Sequence, residues 1–466
     1  MSNWNEKIRL IAVDTVTIHA AFFLWLSLRN SLGFFAGSSV AEMGMATLLI
    51  ACGWILWFAF FGMYRNWYAA SRTDEMIDLV KAISVGILAL FAATFDLKRD
   101  LPYPFRLSRL TVLAYWALMV AIVGAGRMAL HTVQRKLIEQ GIGRHKALIV
   151  GVGKKAGDLY RRLVQAPALG LDVVGFVNTE TRKTPRRRCG IPVYRGMDPL
   201  IRLVRQGDIQ EVLVALPRRS EKRLESLVAR LDGLPVGLKV VPELYDVLVG
   251  RVRTNQIYGF PLVEILPHPI APWERVVKRT GDVLFSVLVL VGLLPLWLVL
   301  LALIKIDSPG PVFYQQERVG KDGRIFHIIK FRSMVRDAEK MTGPVWASGN
   351  DPRVTAVGRW IRKLRLDEIP QLVNVLKGDM SLVGPRPERP FFVQKLKRVY
   401  PLYTKRLHVR PGITGWAQVR STYDETLEDV RRKLEYDLFY MENMSLRMDL
   451  KILLMTVYVV LSGRGH

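Results

Sequence analysis

The sequence has 466 residues, of which 50% are hydrophobic and 23% are charged, with a mean hydropathy of +0.18. This balance excludes an ordinary single soluble domain and a protein made only of membrane spans, and it predicts a mixed protein of two or three units. The net charge of +26 predicts an acidic partner, which is nucleic acid, anionic lipid headgroups or a phosphate-rich substrate. Two cysteines exclude a disulfide framework, and the scattered histidines show no zinc-ligand spacing.

Four apolar runs dominate the first third of the chain, and we predict a bundle of four transmembrane helices over 1–135. Each run is long enough to cross about 30 Å of hydrocarbon. The runs cover residues 8–28, 43–63, 77–95 and 107–131. Basic residues around Lys7, Arg65 and Arg135 favour a cytoplasmic location for both ends of the bundle. Basic residues in the third loop, which this topology places outside, run against that rule.

Strand and helix patterns alternate over 145–250 and predict a Rossmann-like parallel α/β domain of the CoA- or NAD-binding kind. Gly151, Gly153 and Gly157 follow its first strand, with one residue more than the usual dinucleotide-binding spacing. Gly151 and Gly153 are therefore candidates for cofactor binding, and Glu180 is a candidate for binding a ribose hydroxyl. Tight packing of strand against helix is an equally good reason for these glycines.

A proline-rich linker, 251–272, leads to a fifth apolar run at 283–304. Basic residues flank this run on both sides, and Pro295 interrupts it, where a proline removes a backbone hydrogen bond and bends a helix. We therefore prefer a re-entrant helix, broken at Pro295, over a segment that spans the membrane. The last apolar run, Leu446 to Leu461, begins with charged residues and predicts an amphipathic helix at the membrane interface.

An adjacent acidic pair, Asp367 and Glu368, opens a predicted helix, and Gly378 should end the apolar stretch of that helix. Several cations lie just upstream, Arg365 among them. A carboxylate at a helix N-terminus with cationic neighbours is favoured in its ionised form, so it is available as a nucleophile or a metal ligand. A plain helix cap is the alternative interpretation of Asp367.

Two strands around the turn at 320–323 carry candidates for phosphate binding. Lys330 and Arg332 are two residues apart on the second strand and share a face, which suits a diphosphate. A polar strand end is the alternative. On the partner strand, Glu317 and Arg318 either complete this site or pair with each other.

Downstream, the segment Pro385-Arg386-Pro387 follows a glycine and predicts a rigid, extended turn. This turn presents Arg386, whose forked donors suit a phosphate or the edge of a uracil base. An ordinary loop is the alternative interpretation.

Four segments carry a resemblance to a known family: SPGPVFYQQERVG, KFRSM, LRLDEIPQLVNVLKGDMSLVGPRPE and VRPGITGWAQV. They closely resemble the bacterial polyprenyl-phosphate sugar-1-phosphate transferases, the monotopic phosphoglycosyl transferases. The likeness covers 273–466. The order of the units is similar to the large branch of undecaprenyl-phosphate sugar phosphotransferases that initiate exopolysaccharide synthesis. The implied fold class is membrane α plus α/β, with a C-terminal α+β catalytic domain that holds the re-entrant helix.

The resemblance implies roles for the matching residues. Asp367 matches the family's nucleophile and Glu368 its acidic partner, and Mg²⁺ is the implied cofactor, with Asp367 as a ligand. Pro385-Arg386-Pro387 matches the motif that contacts the nucleotide. Many relatives break the re-entrant helix with Ser-Pro, whereas this chain has Leu294-Pro295.

The implied reaction transfers a sugar-1-phosphate from a UDP-sugar to polyprenyl (undecaprenyl) phosphate through an aspartyl adduct, with release of UMP. Repulsion between the charged reactants would be offset by Mg²⁺ and by Lys330, Arg332, Arg365 and Arg386. The implied location is the bacterial cytoplasmic (inner) membrane, with the catalytic domain facing the cytoplasm. Membrane lipids are expected partners, and a homodimer is compatible with the sequence. No nucleic-acid partner is expected, because no recognition helix or base-stacking module is evident.

Two other functions compete with this one. A membrane-tethered, NAD-dependent nucleotide-sugar epimerase or dehydratase would use the middle domain. The glycine spacing there, and the lack of a Tyr-x-x-x-Lys pair near it, weigh against this function. A non-enzymatic membrane sensor of nucleotides or nucleic acid would use the net positive charge instead.

Overall fold

The computed structural model divides the chain into two compact units. The first comprises Met1–Ser220, Gly233–Leu266 and Ala271–Trp273, and the second comprises Glu221–Asp232, Pro267–Ile270 and Glu274–His466. The residues described are 3–31, 40–64, 72–94, 103–179, 186–217, 220–234, 236–241, 255–257, 260–264, 270–335, 353–420 and 427–461. Glu180, Arg65, the third loop at 95–102 and parts of the linker lie outside these ranges.

Four helices form the N-terminal bundle of the first unit: α1 (Asn3–Ser31), α2 (Val40–Phe60), α3 (Arg72–Thr94) and α4 (Tyr103–Glu139). Apolar side chains of all four meet in one buried core, which includes Ile18, Phe58, Ile83 and Met119. The four apolar runs therefore do become four neighbouring helices.

The prediction that all four helices span a membrane is not confirmed. Among the described residues, α1 and α4 are long and apolar enough to cross, over Lys7–Ser31 and Thr111–Glu139. The apolar part of α2 is shorter, at Thr47–Phe60. Helix α3 opens with charged side chains, Asp74 and Glu75 among them, which lowers the apolar length it offers to a bilayer.

A charged cluster lies inside this bundle. The buried Arg127 of α4 donates from Nε to Asp14 Oδ1 of α1 at 2.9 Å and from Nη1 to Glu75 Oε1 of α3 at 3.1 Å. Tyr64, just after α2, donates to Asp14 Oδ2 at 2.8 Å, and His131 pairs with Glu75. Buried charges are tolerated when each has partners, so this cluster fixes the helices of the bundle against one another.

The remainder of the first unit is a sheet domain, and the predicted parallel α/β arrangement is confirmed. Its parallel strands are β1 (His145–Val150), β2 (Leu171–Asn178), β4 (Ile191–Arg195), β5 (Glu211–Val214) and β6 (Gly237–Val240). They lie in the order β4-β2-β1-β5-β6, so the sheet extends on both sides of β1. Antiparallel strands β3 (Arg187–Arg188), β7 (Asn255–Ile257) and β8 (Phe260–Glu264) extend the edges, and the helices are α5 (Lys154–Gln165) and α6 (Asp198–Arg205).

The second unit contains α7 (Glu221–Leu231) and a bent helix pair, α8 (Pro272–Gly292) and α9 (Leu294–Asp307). The pair bends by 64°, and Pro295 lies in the first turn of α9. The predicted break in the fifth apolar run is thus confirmed, and the bend fits a re-entrant loop or a broken span. Leu284, Leu288 and Leu298 stay exposed on this pair, as a lipid-facing surface requires.

The rest of the second unit is the predicted α+β arrangement. The hairpin β9 (Phe313–Val319) and β10 (Ile325–Phe331) pairs around the predicted turn. Strand β11 (Ser381–Val383) pairs in parallel with β12 (Gly412–Thr414). The helices are α10 (Ala356–Lys363), α11 (Gln371–Lys377), α12 (Pro390–Val399), α13 (Trp416–Arg420), α14 (Leu427–Glu442) and α15 (Leu446–Leu461). Helix α15 has the bounds predicted for the last apolar run.

Candidate active site

The acidic pair sits on a sharp corner between α10 and α11. Arg365 adopts a left-handed conformation, with φ 53° and ψ 22°, and turns the chain into a short 3₁₀ helix at Leu366–Glu368. Both Asp367 and Glu368 are buried there. The pair therefore precedes the helix instead of opening it, since α11 starts only at Gln371. Gly378 ends α11 in a left-handed conformation, as predicted.

Three cations surround Glu368, and they come from three different segments. Arg386 Nη2 lies 2.8 Å and Lys330 Nζ 3.1 Å from Glu368 Oε1, and Arg365 Nη1 lies 3.8 Å from Oε2. Burial alone would raise the pKa of Glu368, but Arg386, Lys330 and Arg365 outweigh it and hold that pKa well below its ordinary value. Glu368 is therefore a permanent anion that gathers these cations beside Asp367.

Asp367, unlike Glu368, is not held by ion pairs among the residues that the structure describes. Within the described part of the chain, its carboxylate has no hydrogen bond or ion pair. Burial raises the pKa of Asp367 and the neighbouring Glu368 adds to the rise, while Lys330, Arg362 and Arg386 oppose it. The cations thus favour the ionised form of Asp367, as expected, but burial and the negative charge of Glu368 outweigh them and raise its pKa. A buried, unpaired carboxylate is poorly solvated and well suited to attack an electrophile.

Two arginine side chains bind backbone carbonyl oxygens of the turn that carries Arg386. Arg406 Nη2 donates to the carbonyl of Arg386 at 2.8 Å, and Arg318 Nη1 donates to the carbonyl of Pro387 at 3.1 Å. Arg406 is buried and also pairs with Asp437 at 2.8 Å. Since both arginines bind carbonyl oxygens, they fix the turn while leaving the Arg386 side chain to reach Glu368.

Three residues predicted to bind substrate have other partners in the structure. Arg318 supports the turn and lies 3.8 Å from Glu388, so it is neither a free phosphate ligand nor a partner of Glu317. Glu317 is exposed and faces His327 across the hairpin at 3.9 Å. Arg332 is buried and donates to the carbonyl of Ser308 at 2.6 Å. Of the four residues chosen on the hairpin, the structure brings Lys330 to the acidic pair.

Arg406 was missed by the sequence analysis, whereas Arg362 is one of the cations noted just upstream of the acidic pair. Arg362 acts electrostatically on Asp367, five residues along the chain, and a basic residue at that spacing was visible as part of the upstream charge run. Arg406 has no local signal, because its partners Arg386 and Asp437 lie 20 and 31 residues away.

The donor set at the acidic pair fits a magnesium ion bound through few protein ligands. The described residues contain no group of three or more His, Cys, Asp and Glu side chains that could hold a metal. Mg²⁺ commonly takes one or two carboxylates and completes its shell with water and substrate phosphate oxygens. Asp367 offers one uncommitted carboxylate of this kind, whereas Glu368 is already bound by cations.

The glycine loop of the parallel-sheet domain is explained without a nucleotide. Gly151 has φ 122°, and a Cβ there would lie 2.7 Å from the carbonyl oxygen of Ala215. Arg188 lies against Gly157 and donates to the carbonyls of Val152 and Gly153, the latter at 3.0 Å. Packing thus accounts for Gly151 and Gly157, and cofactor binding at Gly151 and Gly153 stays a prediction.

A buried carboxylate, flanked by cations gathered on a second carboxylate, is an arrangement suited to binding phosphate groups. Comparison with known proteins agrees. Residues 273–463 match the model of the bacterial sugar transferase family, and residues 59–242 match that of a CoA-binding domain. A UDP-glucose:undecaprenyl-phosphate glucose-1-phosphate transferase of Xanthomonas campestris pv. campestris is 31% identical over 91% of this chain and 87% of its own length.

Two other relatives act on other sugars. A UDP-N-acetylgalactosamine-undecaprenyl-phosphate N-acetylgalactosaminephosphotransferase of Aeromonas hydrophila is 44% identical over 52% of this chain and 56% of its own length. An undecaprenyl-phosphate galactose phosphotransferase of Salmonella typhimurium is 31% identical over 86% of this chain and 83% of its own length. The chain belongs to this family of undecaprenyl-phosphate sugar phosphotransferases and is a transferase.

Among solved structures, UDP-D-quinovosamine 4-dehydrogenase from Vibrio fischeri is 26% identical over 28% of this chain and 98% of its own, with a TM-score of 0.22. A TM-score this low does not establish a shared fold.

Proposed function

We propose that the protein transfers a sugar-1-phosphate from a UDP-sugar to undecaprenyl phosphate, through a covalent adduct on Asp367. The names of the relatives support the donor and acceptor classes. The observation that carries the proposed mechanism is a difference between two adjacent carboxylates. Glu368 forms ion pairs with the neighbouring cations, whereas Asp367 lies beside these cations without an ion pair in the described residues.

In the first step, a carboxylate oxygen of Asp367 attacks the β-phosphorus of the UDP-sugar. The bond between that phosphorus and the bridging oxygen breaks, and UMP leaves with the bridging oxygen. A phosphosugar then remains on Asp367 as an acyl phosphate. Lys330 and Arg386 border both carboxylates and are placed to receive the negative charge that moves onto the leaving group.

In the second step, a phosphate oxygen of undecaprenyl phosphate attacks the same phosphorus. The acyl phosphate bond breaks, Asp367 regains its carboxylate, and undecaprenyl-diphospho-sugar leaves. Both steps exchange one bond to phosphorus for another, so the bond between the sugar and its phosphate oxygen is never broken. The sugar therefore keeps its anomeric configuration, and no ATP is consumed.

Magnesium, when bound through Asp367 and the donor diphosphate, would supply further neutralisation of phosphate charge. The protein's own contribution is to keep water away from Asp367 and to hold Arg386 and Lys330 in place through Glu368. Burial of the acidic pair serves the first purpose and the three ion pairs serve the second.

The bent pair α8–α9 supports a re-entrant arrangement, which would place the acidic pair close to the depth of lipid phosphates. With that arrangement we propose the cytoplasmic membrane as location and the cytoplasm as the side of the active site. A homodimer stays a prediction, as does a fully spanning N-terminal bundle.

The test uses UDP-sugar labelled with ³²P at the β-position, undecaprenyl phosphate, Mg²⁺ and the purified full-length protein. UDP-glucose, UDP-galactose and UDP-N-acetylgalactosamine should be compared, because the relatives named above differ in sugar. Label should move into the lipid extract, and with donor alone it should stay on the peptide that contains Asp367. The Asp367→Asn variant should lose both signals, while Glu435→Gln, an exposed carboxylate of the same unit, should keep them. Lipid labelling that persists in Asp367→Asn would remove this residue from the nucleophile role.

A further inference from the structure

A buried polar cluster lies below the turn that carries Arg386, and the reaction described above does not use it. It consists of Lys278 on α8, Tyr440 on α14 and Asp449 on α15. It is called the Val383 anchor here because Lys278 and Tyr440 reach the carbonyl of Val383 and both contact Asp449. We propose that these three residues are positioning residues that hold Arg386 at the nucleotide site. This inference rests on the proposed function, in which the Arg386 turn serves the UDP-sugar.

Asp449 joins the other two members of the Val383 anchor. Lys278 Nζ lies 2.6 Å from Asp449 Oδ2 and donates to the Val383 carbonyl at 3.1 Å. Tyr440 donates its hydroxyl hydrogen to Asp449 Oδ1 at 2.7 Å, and its oxygen is 3.3 Å from the same carbonyl. Tyr440 thus orients Asp449, and Asp449 orients Lys278 toward the backbone oxygen.

The Val383 carbonyl matters because it lies close along the chain to Arg386, which binds the acidic pair. Val383 ends β11 and is followed by Gly384, Pro385 and Arg386, so two residues separate Val383 from the arginine that binds Glu368. The path is stiff, because proline restricts the backbone and the N–H of Gly384 donates to Thr414 of β12 at 2.9 Å. A shift of the Val383 carbonyl therefore moves Arg386.

A purely apolar contact would hold these helices together at least as well. An ammonium, a carboxylate and a phenol that are mostly withdrawn from water add little net stability compared with well-packed hydrophobic side chains. What they add is direction, since hydrogen bonds fix the distance and angle of the oxygen they contact. The cluster is thus better explained by a role in positioning the Val383 carbonyl than by a contribution to the stability of the fold.

The helices that supply the anchor also carry exposed apolar side chains. Leu284 and Leu288 project from α8, and Leu454 and Val457 from α15. Two helices with lipid-facing side chains therefore hold one backbone oxygen near the site. The inference is that correct seating of α8 and α15 and correct placement of Arg386 are linked through Lys278 and Asp449.

The experiment measures kcat and the KM for UDP-sugar and for undecaprenyl phosphate, on the full-length protein in vesicles that contain anionic lipid. Tyr440→Phe keeps the ring and removes the hydroxyl that donates to Asp449, and Asp449→Asn removes the charge that orients Lys278. Both should raise the KM for UDP-sugar, by on the order of 10-fold or more, and leave the KM for undecaprenyl phosphate unchanged. Tyr436→Phe is the matched control, because it removes a phenol hydroxyl from α14 one turn before Tyr440, and the hydroxyl that reaches Asp449 and the Val383 carbonyl is that of Tyr440.

A double-mutant cycle separates positioning from general loosening. If the anchor acts through Arg386, Tyr440→Phe should have no further effect on the KM for UDP-sugar in an Arg386→Ala background. The same additional loss in that background, or a change in Tyr436→Phe as large as in Tyr440→Phe, would overturn the proposal. If Asp449→Asn does not fold, Tyr440→Phe decides alone. A wild-type protein that forms no labelled lipid would instead remove the proposed function itself, so the two failures are distinguishable.

Discussion

Replacement of Glu368 by glutamine tests whether this residue gathers the cations of the site. The substitution Glu368→Gln keeps the shape and one oxygen acceptor but removes the negative charge. Arg386 at 2.8 Å, Lys330 at 3.1 Å and Arg365 at 3.8 Å then face a neutral amide in a buried site. We expect a less stable protein, because these cations lose the anion that compensates their desolvation.

The size of the effect follows from burial. Removing one partner of a buried ion pair costs about 3–5 kcal/mol. The lower end applies here, about 3 kcal/mol, since the side chains of Lys330 and Arg386 are 19% and 32% exposed and water screens part of their charge. For a unit of this size, that loss lowers the melting temperature by about 6–12 °C. The folded-state pKa of Glu368 is depressed, so its contribution is complete at neutral pH and disappears only as the pH falls through that depressed value.

The assay is thermal unfolding of the purified full-length protein in lipid nanodiscs at neutral pH, followed by tryptophan fluorescence. Glu435→Gln is the matched control, because Glu435 makes an exposed pair with Arg431 at 3.4 Å, with 64% of its side chain accessible. Such a pair contributes no more than about 1 kcal/mol. Equal shifts of the melting temperature in the two variants would refute the idea that Glu368 holds the cations in place.

Three further outcomes are expected. Asp367→Asn should raise the melting temperature while it abolishes transfer, because burial makes the charge of Asp367 costly; a lower melting temperature would show that the carboxylate is paired. In a pH–rate profile, the acid limb of kcat/KM should lie above the ordinary aspartate pKa of about 3.9, because the pKa of Asp367 is raised. In Glu368→Gln this limb should move to lower pH, because the negative charge that raises the Asp367 pKa is gone. A limb that does not move would contradict this. Asn374→Leu should cost about 1–3 kcal/mol in nanodisc melts, since Asn374 accepts from the N–H of Ile329 at 3.0 Å and donates to the carbonyl of His327 at 2.8 Å; an unchanged melt would mean that neither bond matters.

Much of the fold was predictable because its signals are local. The hairpin strands, the parallel sheet and the bounds of α15 follow from side-chain alternation, apolar runs and turn residues that lie within a few positions of one another. The break near Pro295 follows from the covalent geometry of proline. Asp367 and Glu368 were found for a similar reason, because two adjacent acids next to several cations stand out in the sequence.

What escaped the sequence depends on which side chains meet across long separations. Lys330 and Arg332 share a strand pattern, yet one reaches Glu368 and the other the end of α9 at Ser308. The raised pKa of Asp367 was not predicted either, since it results from burial and from the negative charge of Glu368, which together outweigh the cations. Spacing along the chain carries no information on burial of this kind.

The left-handed backbone of Arg365 has a consequence for how the enzyme meets its substrates. A residue with a Cβ occupies this conformation at a cost of about 1–2 kcal/mol, so the surrounding packing must impose it. The acidic pair therefore follows a rigid turn whose conformation is set before any ligand binds. In the proposed reaction, the entropy lost on association would therefore fall on the incoming donor and carrier lipid, and the acidic pair would need no ordering between turnovers.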